Sequence, residues 1–305
     1  MERKIKDYIL IFLKGIAMGA ADIVPGVSGG TIALISGIYE ELINTIRSFN
    51  LKNLKKIFAL KFSDFFYSIN INFLIALVGG IFLSAISLAR ILKHTLENYP
   101  VLIWSFFFGL ILASAIVVTK RIKTWNYKTF IFLILGIIIA YFITIISPTK
   151  TPDAYWFIFI SGSISICAMI LPGISGAFIL LLLGKYEFII DAISEFKIGI
   201  ILTFASGAII GLLSFSNVLS WLLKKYKDFT IAVLAGFMLG SLNKVWPWKF
   251  IKEEINSYGN LIKIEKNIFP DIIFEFSNDS LFLALIISLV GFFVIVFVDK
   301  ITSNK

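Results

Sequence analysis

Residues 15–40 read GIAMGAADIVPGVSGGTIALISGIYE, an apolar stretch broken at its centre by Pro25, Gly26, Gly29 and Gly30. Proline has no amide hydrogen for the helical ladder and clashes with the preceding turn, and glycine relaxes the backbone further, so a helix should stop near Val24 and a second should start at Ser28. The break recurs. Residues 162–187 read GSISICAMILPGISGAFILLLLGKYE, and the two stretches align without a gap at an offset of 147, with 12 of 26 positions identical. The shared core is P-G-[VI]-S-G, and the shared end is Tyr39-Glu40 and Tyr186-Glu187.

Outward from these stretches the chain is apolar. Hydrophobic residues make up 58% and charged residues 15% of its 305 positions, and mean hydropathy is +0.93, more than a soluble core of this size requires. A polytopic membrane protein follows. Apolar spans lie at about 72–92, 99–119 and 128–147 after the first break and at about 198–222, 229–245 and 280–299 after the second, each long enough or nearly so for a core of about 30 Å, which takes about 20 residues. Short similarities accompany them: LARILK at 88–93 resembles LSWLLK at 219–224, and GLILAS at 109–114 resembles GFMLGS at 236–241. The lone Cys167 excludes an internal disulfide framework, and the lone His94 leaves no pair of histidines for a zinc hydrolase or a histidine-dependent phosphatase. No metal or cofactor is expected, and an enzyme is disfavoured. The signal-like start MERKIKDYILIFLKGIAMGAAD is interrupted by Lys14 and carries half of the first motif, which argues against its cleavage.

The expected architecture is all-α, two repeats at 1–147 and 148–305, each a broken re-entrant hairpin (about 8–46 and 156–190) plus about three transmembrane helices. Three spans is an odd number, so hairpins that enter and leave on one side invert the second repeat relative to the first. Charge agrees: with the N-terminus inside, 18 of the 28 lysines and arginines fall in cytoplasmic segments, which puts both termini in the cytoplasm. The net charge of +9 is parcelled into short loops, a topology pattern and not a nucleic-acid footprint.

Irregular backbone persists in a membrane only where protein or a polar cavity satisfies it, so two breaks point to a site. Half-helices starting at Ser28 and Ser175 would present free amides and positive dipole ends to an anion at the midplane. Pro25, Gly26, Ser28, Gly29, Gly30 and Thr31 in the first copy, and Pro172, Gly173, Ser175 and Gly176 in the second, are the candidate binding residues. A packing kink capped by the two serines is the alternative. Asp22 is the single charged residue between Gly15 and Tyr39, and its counterpart is Met169. It is a candidate site for coupling to H+ or Na+, with capping of the Pro-Gly amides as the structural alternative. Tyr39, Glu40, Tyr186, Glu187 and Arg90 are weaker headgroup candidates, with interfacial anchoring and snorkelling as the plainer accounts.

MGAADIVPGVSGGTIALISGIYE followed by AMILPGISGAFILLLLGKYE resembles the bacterial and archaeal family of polyprenyl-phosphate (undecaprenyl-phosphate) translocases. The resemblance covers most of the chain. It implies a multi-pass protein of the cell membrane that returns a polyprenyl-phosphate carrier from the outer to the inner leaflet, with that lipid and membrane lipids as partners and no nucleic acid. Without it, the residues indicate a transporter with an anion-friendly midplane. An ion-coupled small-anion transporter, a membrane lipid phosphatase and a non-transporting scaffold stay open as alternatives.

Overall fold

The computed structural model describes residues 3–24, 27–255, 261–270 and 278–303. The first broken element comprises α1 (Ile5–Ile23), α2 (Gly29–Ile35) and α3 (Tyr39–Arg47). Two short helices, α4 (Leu51–Phe58) and α5 (Phe62–Ser68), lead to the long α6 (Ile71–Asn98), α7 (Pro100–Thr119) and α8 (Tyr127–Ile145). The second broken element, α9 (Tyr155–Ile170), α10 (Gly176–Leu182) and α11 (Tyr186–Ser194), is followed by α12 (Ile198–Lys225), α13 (Lys227–Ser241) and α14 (Asn278–Ser303). Local chemistry sets several starts: Pro100 occupies the first position of α7, where a missing amide hydrogen costs nothing, and the Asn126 side chain accepts from the Thr129 amide to cap α8. Among the described residues, α6, α7, α8, α12 and the 281–300 part of α14 are long and apolar enough to cross a membrane.

Four details differ from the sequence expectation, the first being that the span expected at about 229–245 is the 15-residue α13, which ends at Ser241 and is not among those long helices. The spans expected to end at 92 and 222 continue to Asn98 and Lys225, because no breaker intervenes before Tyr99 and Tyr226. The loop at 47–71 contains α4 and α5. The 244–279 segment holds an antiparallel hairpin of β1 (Lys249–Ile255) and β2 (Leu261–Asn267), so the fold is nearly but not entirely all-α. Alternation of Ile262 and Ile264 with Lys263 and Glu265 is the sequence signal for that strand.

Facing glycines hold the bundle together. Gly15 meets Leu77 and Gly80 while Gly19 meets Ile81 and Ser84, so α1 and α6 run in the same direction at backbone contact. Gly207 against Phe159 and Gly211 against Ser163 do the same for α9 and α12. Gly136 and Gly236 join α8 to α13, and Gly109 and Gly291 join α7 to α14, where a methyl group on Gly109 would sit 1.9 Å from the Ser288 carbonyl oxygen. Small residues at helix crossings let backbones approach where lipid supplies no hydrophobic drive. Helices before residue 147 thus pack on helices after it, and the two halves of the chain are interwoven.

Both broken elements return to the end at which they began. Lys14 Nζ of α1 donates to the Ser36 carbonyl (2.6 Å), and Arg121 donates to the carbonyls of Leu34 (2.7 Å) and Ile35 (2.9 Å), so the carboxyl end of α2 lies back beside α1 and the α7–α8 loop. In the second element the Thr149 amide donates to the Leu182 carbonyl (3.0 Å) and Thr151 Oγ1 to that of Leu183 (2.5 Å). Lys185, 1% exposed, donates to Asp153 (2.5 Å) and to the Thr151 carbonyl (2.8 Å) just before α9 begins. Cations at helical carboxyl ends are favoured by the dipole.

Candidate functional site

The first break places an anion of its own on the α2 amides. Gly29 donates its amide to Asp22 Oδ1 at 2.7 Å, Gly30 donates to Ser28 Oγ at 3.1 Å, and Thr31 donates to the Ser28 carbonyl at 3.0 Å. The Asp22 carboxylate therefore meets the favourable end of α2 as well as the unfavourable end of α1. It fills the space above Gly29 so closely that a Cβ there would lie 2.5 Å from Asp22 Oδ2. Ser28 is extended (φ −130°, ψ 132°), as an N-cap residue must be, and is buried.

The two breaks touch. Ser28 Oγ lies 3.1 Å from the Met169 carbonyl oxygen and 3.0 Å from that of Leu171, and its proton is shared between them. Thr31 Oγ1 accepts from the Gly173 amide at 3.0 Å, and the buried Tyr39 hydroxyl donates to the Ile170 carbonyl at 3.2 Å. Gly30 lies so close that a Cβ would be 2.3 Å from the Ile170 oxygen. In the second break, Pro172-Gly173 forms a turn closed by the Ile174 amide on the Leu171 carbonyl (3.4 Å), with Gly173 at φ +85°, a conformation that strains any residue with a Cβ. Ser175 caps α10 loosely, accepting from the Phe178 amide at 3.5 Å. The amides of Gly176 and Ala177 have no partner among the described residues. Where the first amides of α2 are taken, the first two of α10 are unpaired among the described residues, although Gly176 is buried against Ser165 and Met169.

A sequence profile described as undecaprenyl phosphate translocase-like matches residues 18–262, across both breaks. The chain belongs to that family. A polyprenyl-phosphate transporter of Vibrio cholerae is 48% identical over 280 residues, 91% of this chain and 90% of the relative. A polyprenyl-phosphate transporter of Staphylococcus aureus is 32% identical over 256 residues, 77% of this chain and 85% of the relative. No solved structure matches. The names of family and relatives denote transport and not catalysis, and the long apolar helices accord with a multi-pass membrane protein.

Of the expected site residues, Ser28, Gly29, Gly30, Thr31, Pro172, Gly173, Ser175 and Gly176 are gathered at the junction, with Asp22 and the Tyr39 hydroxyl. Pro25 and Gly26 lie outside the described residues. Glu40 instead pairs with Lys227 at 2.6 Å, Tyr186 and Glu187 are exposed at the other end, and Arg90 is exposed on α6 with no bond to either break among the described residues. A cleft of about 460 Å3 lined by Glu41, Asn44, Thr45, Ser48, Ser68 and Asn70 lies between α3 and the end of α5, not at the junction. Sequence reading missed Lys14, Arg121 and Lys185 as the cations that hold the carboxyl ends of the short helices. Lys14 and Lys185 each interrupt an apolar run, which was the available signal; nothing local marks Arg121.

Proposed function

We propose that this chain moves a polyprenyl-phosphate lipid from the outer to the inner leaflet of the cell membrane, recycling a carrier used in cell-envelope synthesis. Its headgroup is taken at the amino ends of the two short helices near the midplane, while the isoprenoid tail stays in lipid. The two halves, 1–147 and 148–305, act as inverted repeats with both termini in the cytoplasm, and no cofactor takes part beyond a coupling H+ or Na+. The relatives named for this substrate supply its identity. The observation that carries the site is the 2.7 Å bond between Gly29 and Asp22: the α2 terminus already holds an oxyanion, and an incoming phosphate competes with it. Protonation of Asp22, or its pairing with Na+, frees the Gly29 amide and removes the repulsion, which links ion occupancy to phosphate occupancy. The open amides of Gly176 and Ala177 receive the headgroup without such a competitor.

Purified protein in liposomes, assayed for leaflet exchange of a labelled polyprenyl phosphate, tests the proposal. Exchange of the monophosphate should exceed that of the pyrophosphate and of an ordinary anionic phospholipid; equal rates for all three would end the assignment of substrate. In a Cys167→Ala background, Lys55→Cys and Lys123→Cys should react with an impermeant thiol reagent from the cytoplasm and Tyr99→Cys from outside. A swap of sides would overturn the inverted arrangement.

A further inference from the structure

Between α3 and α6 the chain builds a helical hairpin that the transport reading does not use. α4 (Leu51–Phe58) and α5 (Phe62–Ser68) are 8 and 7 residues long, far below the about 20 needed to cross a bilayer. Anchoring is narrow: Phe65 is buried and sets its ring edge-on to Phe49 (6.3 Å), and Ile69 is buried beneath it. Around that anchor five large apolar residues face outward. Leu51 is 79% exposed, Leu60 76% and Tyr67 92%, and Phe62 and Phe66 are exposed beside them.

The same hairpin carries Lys52, Lys55, Lys56 and Lys61 against the single acid Asp64. It follows directly on Arg47, whose guanidinium bonds the uncharged side chains of Asn217 and Ser220 and so adds a further positive charge to this end of the bundle. Short helices with outward apolar side chains, an excess of lysine and a position beside the ends of long apolar helices match a segment that lies in the headgroup layer. Basic residues there are drawn to acidic lipids.

We propose that α4 and α5 dock on an anionic lipid surface, with Leu51, Leu60, Phe62, Phe66 and Tyr67 entering the headgroup boundary and the four lysines meeting lipid phosphates. The docking rests on the chain spanning a bilayer but not on what it transports. With the cation-rich end inside, the surface is that of the inner leaflet.

The test uses the full chain in nanodiscs, whose two faces are both open, so sidedness does not enter. Tyr67→Cys in the Cys167→Ala background carries an environment-sensitive fluorophore, in discs of phosphatidylcholine alone or mixed with phosphatidylglycerol. In the acidic discs the label should shift to the blue and be quenched by spin-labelled lipid, and raised salt should reverse part of the effect. Replacing Lys52, Lys55, Lys56 and Lys61 by Gln should remove the preference for acidic discs, by roughly fivefold per residue, while replacement by Arg should keep it. A label that stays in water in acidic discs overturns the docking. Equal embedding in both discs, insensitive to salt, overturns the recognition of acidic lipid. Either failure leaves leaflet exchange of polyprenyl phosphate to be judged by its own assay.

Discussion

The two breaks share a sequence core but not a hydrogen-bond state. In the first, Asp22, Ser28 and the Ser28 carbonyl take the first three amides of α2; in the second, Met169 stands where Asp22 would be and the first two amides of α10 find no acceptor among the described residues. The cap follows the same division, since Ser28 spans the junction to Met169 and Leu171 whereas Ser175 makes one long contact within its own turn. A repeated motif thus supplies the backbone geometry twice, and a single side chain decides which copy is occupied. Four sets of variants probe that asymmetry.

The largest effect should come where each break packs tightly against neighbouring backbone. Gly173→Val places a Cβ 2.8 Å from the Phe237 carbonyl at φ +85°, and Gly30→Val places one 2.3 Å from the Ile170 oxygen. Each should lose about 3 kcal/mol or more of stability, from overpacking and, at Gly173, backbone strain. Thermal unfolding in detergent should record both losses. A normal midpoint for either variant would mean that the junction is not packed as described.

Next come the residues that differ. Asp22→Asn keeps an oxygen for the Gly29 amide, so folding should change by about 1 kcal/mol or less, but transport should no longer respond to an H+ or Na+ gradient. The reciprocal change, Met169→Asp, brings a carboxylate to the open break and should depress phosphate uptake, whereas Met169→Asn, of similar size without the charge, should not. Equal uptake by the two Met169 variants, or a wild-type gradient response in Asp22→Asn, would separate occupancy of the amides from charge.

Ser28→Ala and Ser175→Ala look equivalent in the sequence, yet the structure separates them. Loss of the Ser28 hydroxyl unpairs the Gly30 amide and removes the bond to the opposite break, a cost of about 1–2 kcal/mol, while Ser175 gives up one 3.5 Å contact and should cost about 0.5 kcal/mol. Urea or thermal unfolding of the pair reads the difference directly. Equal losses would make Ser28 an ordinary cap.

Much of this arrangement was legible in the sequence because proline and glycine act locally. Pro172-Gly173 ends α9 whatever surrounds it, and twenty apolar residues in a row need no partner to be read as a helix. The chemical asymmetry, Asp22 against Met169, was legible too, but its geometry was not. That Asp22 folds over onto Gly29 depends on how α2 is set against α1, and that Ser28 reaches Met169 depends on packing across a separation of 141 residues. The cations that close α2 illustrate the same limit: Lys14 precedes Ser36 by 22 positions, and Arg121 lies 87 from Leu34. The pairing of α7 with α14 and of α8 with α13 is likewise set by matching glycines distant in the chain, although each glycine is visible in its own span.

The smallest effect should come from the shared Tyr-Glu ends, where identical residues meet unlike surroundings. Glu40 pairs with Lys227 at 2.6 Å, but both side chains are about half exposed (54% and 50%), so solvent screens the pair and Glu40→Gln should cost about 0.5 kcal/mol or less. Glu187 is exposed with no ion pair among the described residues, so Glu187→Gln should change stability even less. Neither carboxylate touches the junction, and neither substitution should alter leaflet exchange of polyprenyl phosphate. High salt should narrow the small gap between Glu40→Gln and wild type, because an exposed pair is weakened by screening. Suppose instead that Glu40→Gln folds normally and stops exchange while Glu187→Gln does not. The asymmetry would then extend from the junction of the breaks to the end of the bundle, and Glu40 with Lys227 would belong to the proposed path of the headgroup.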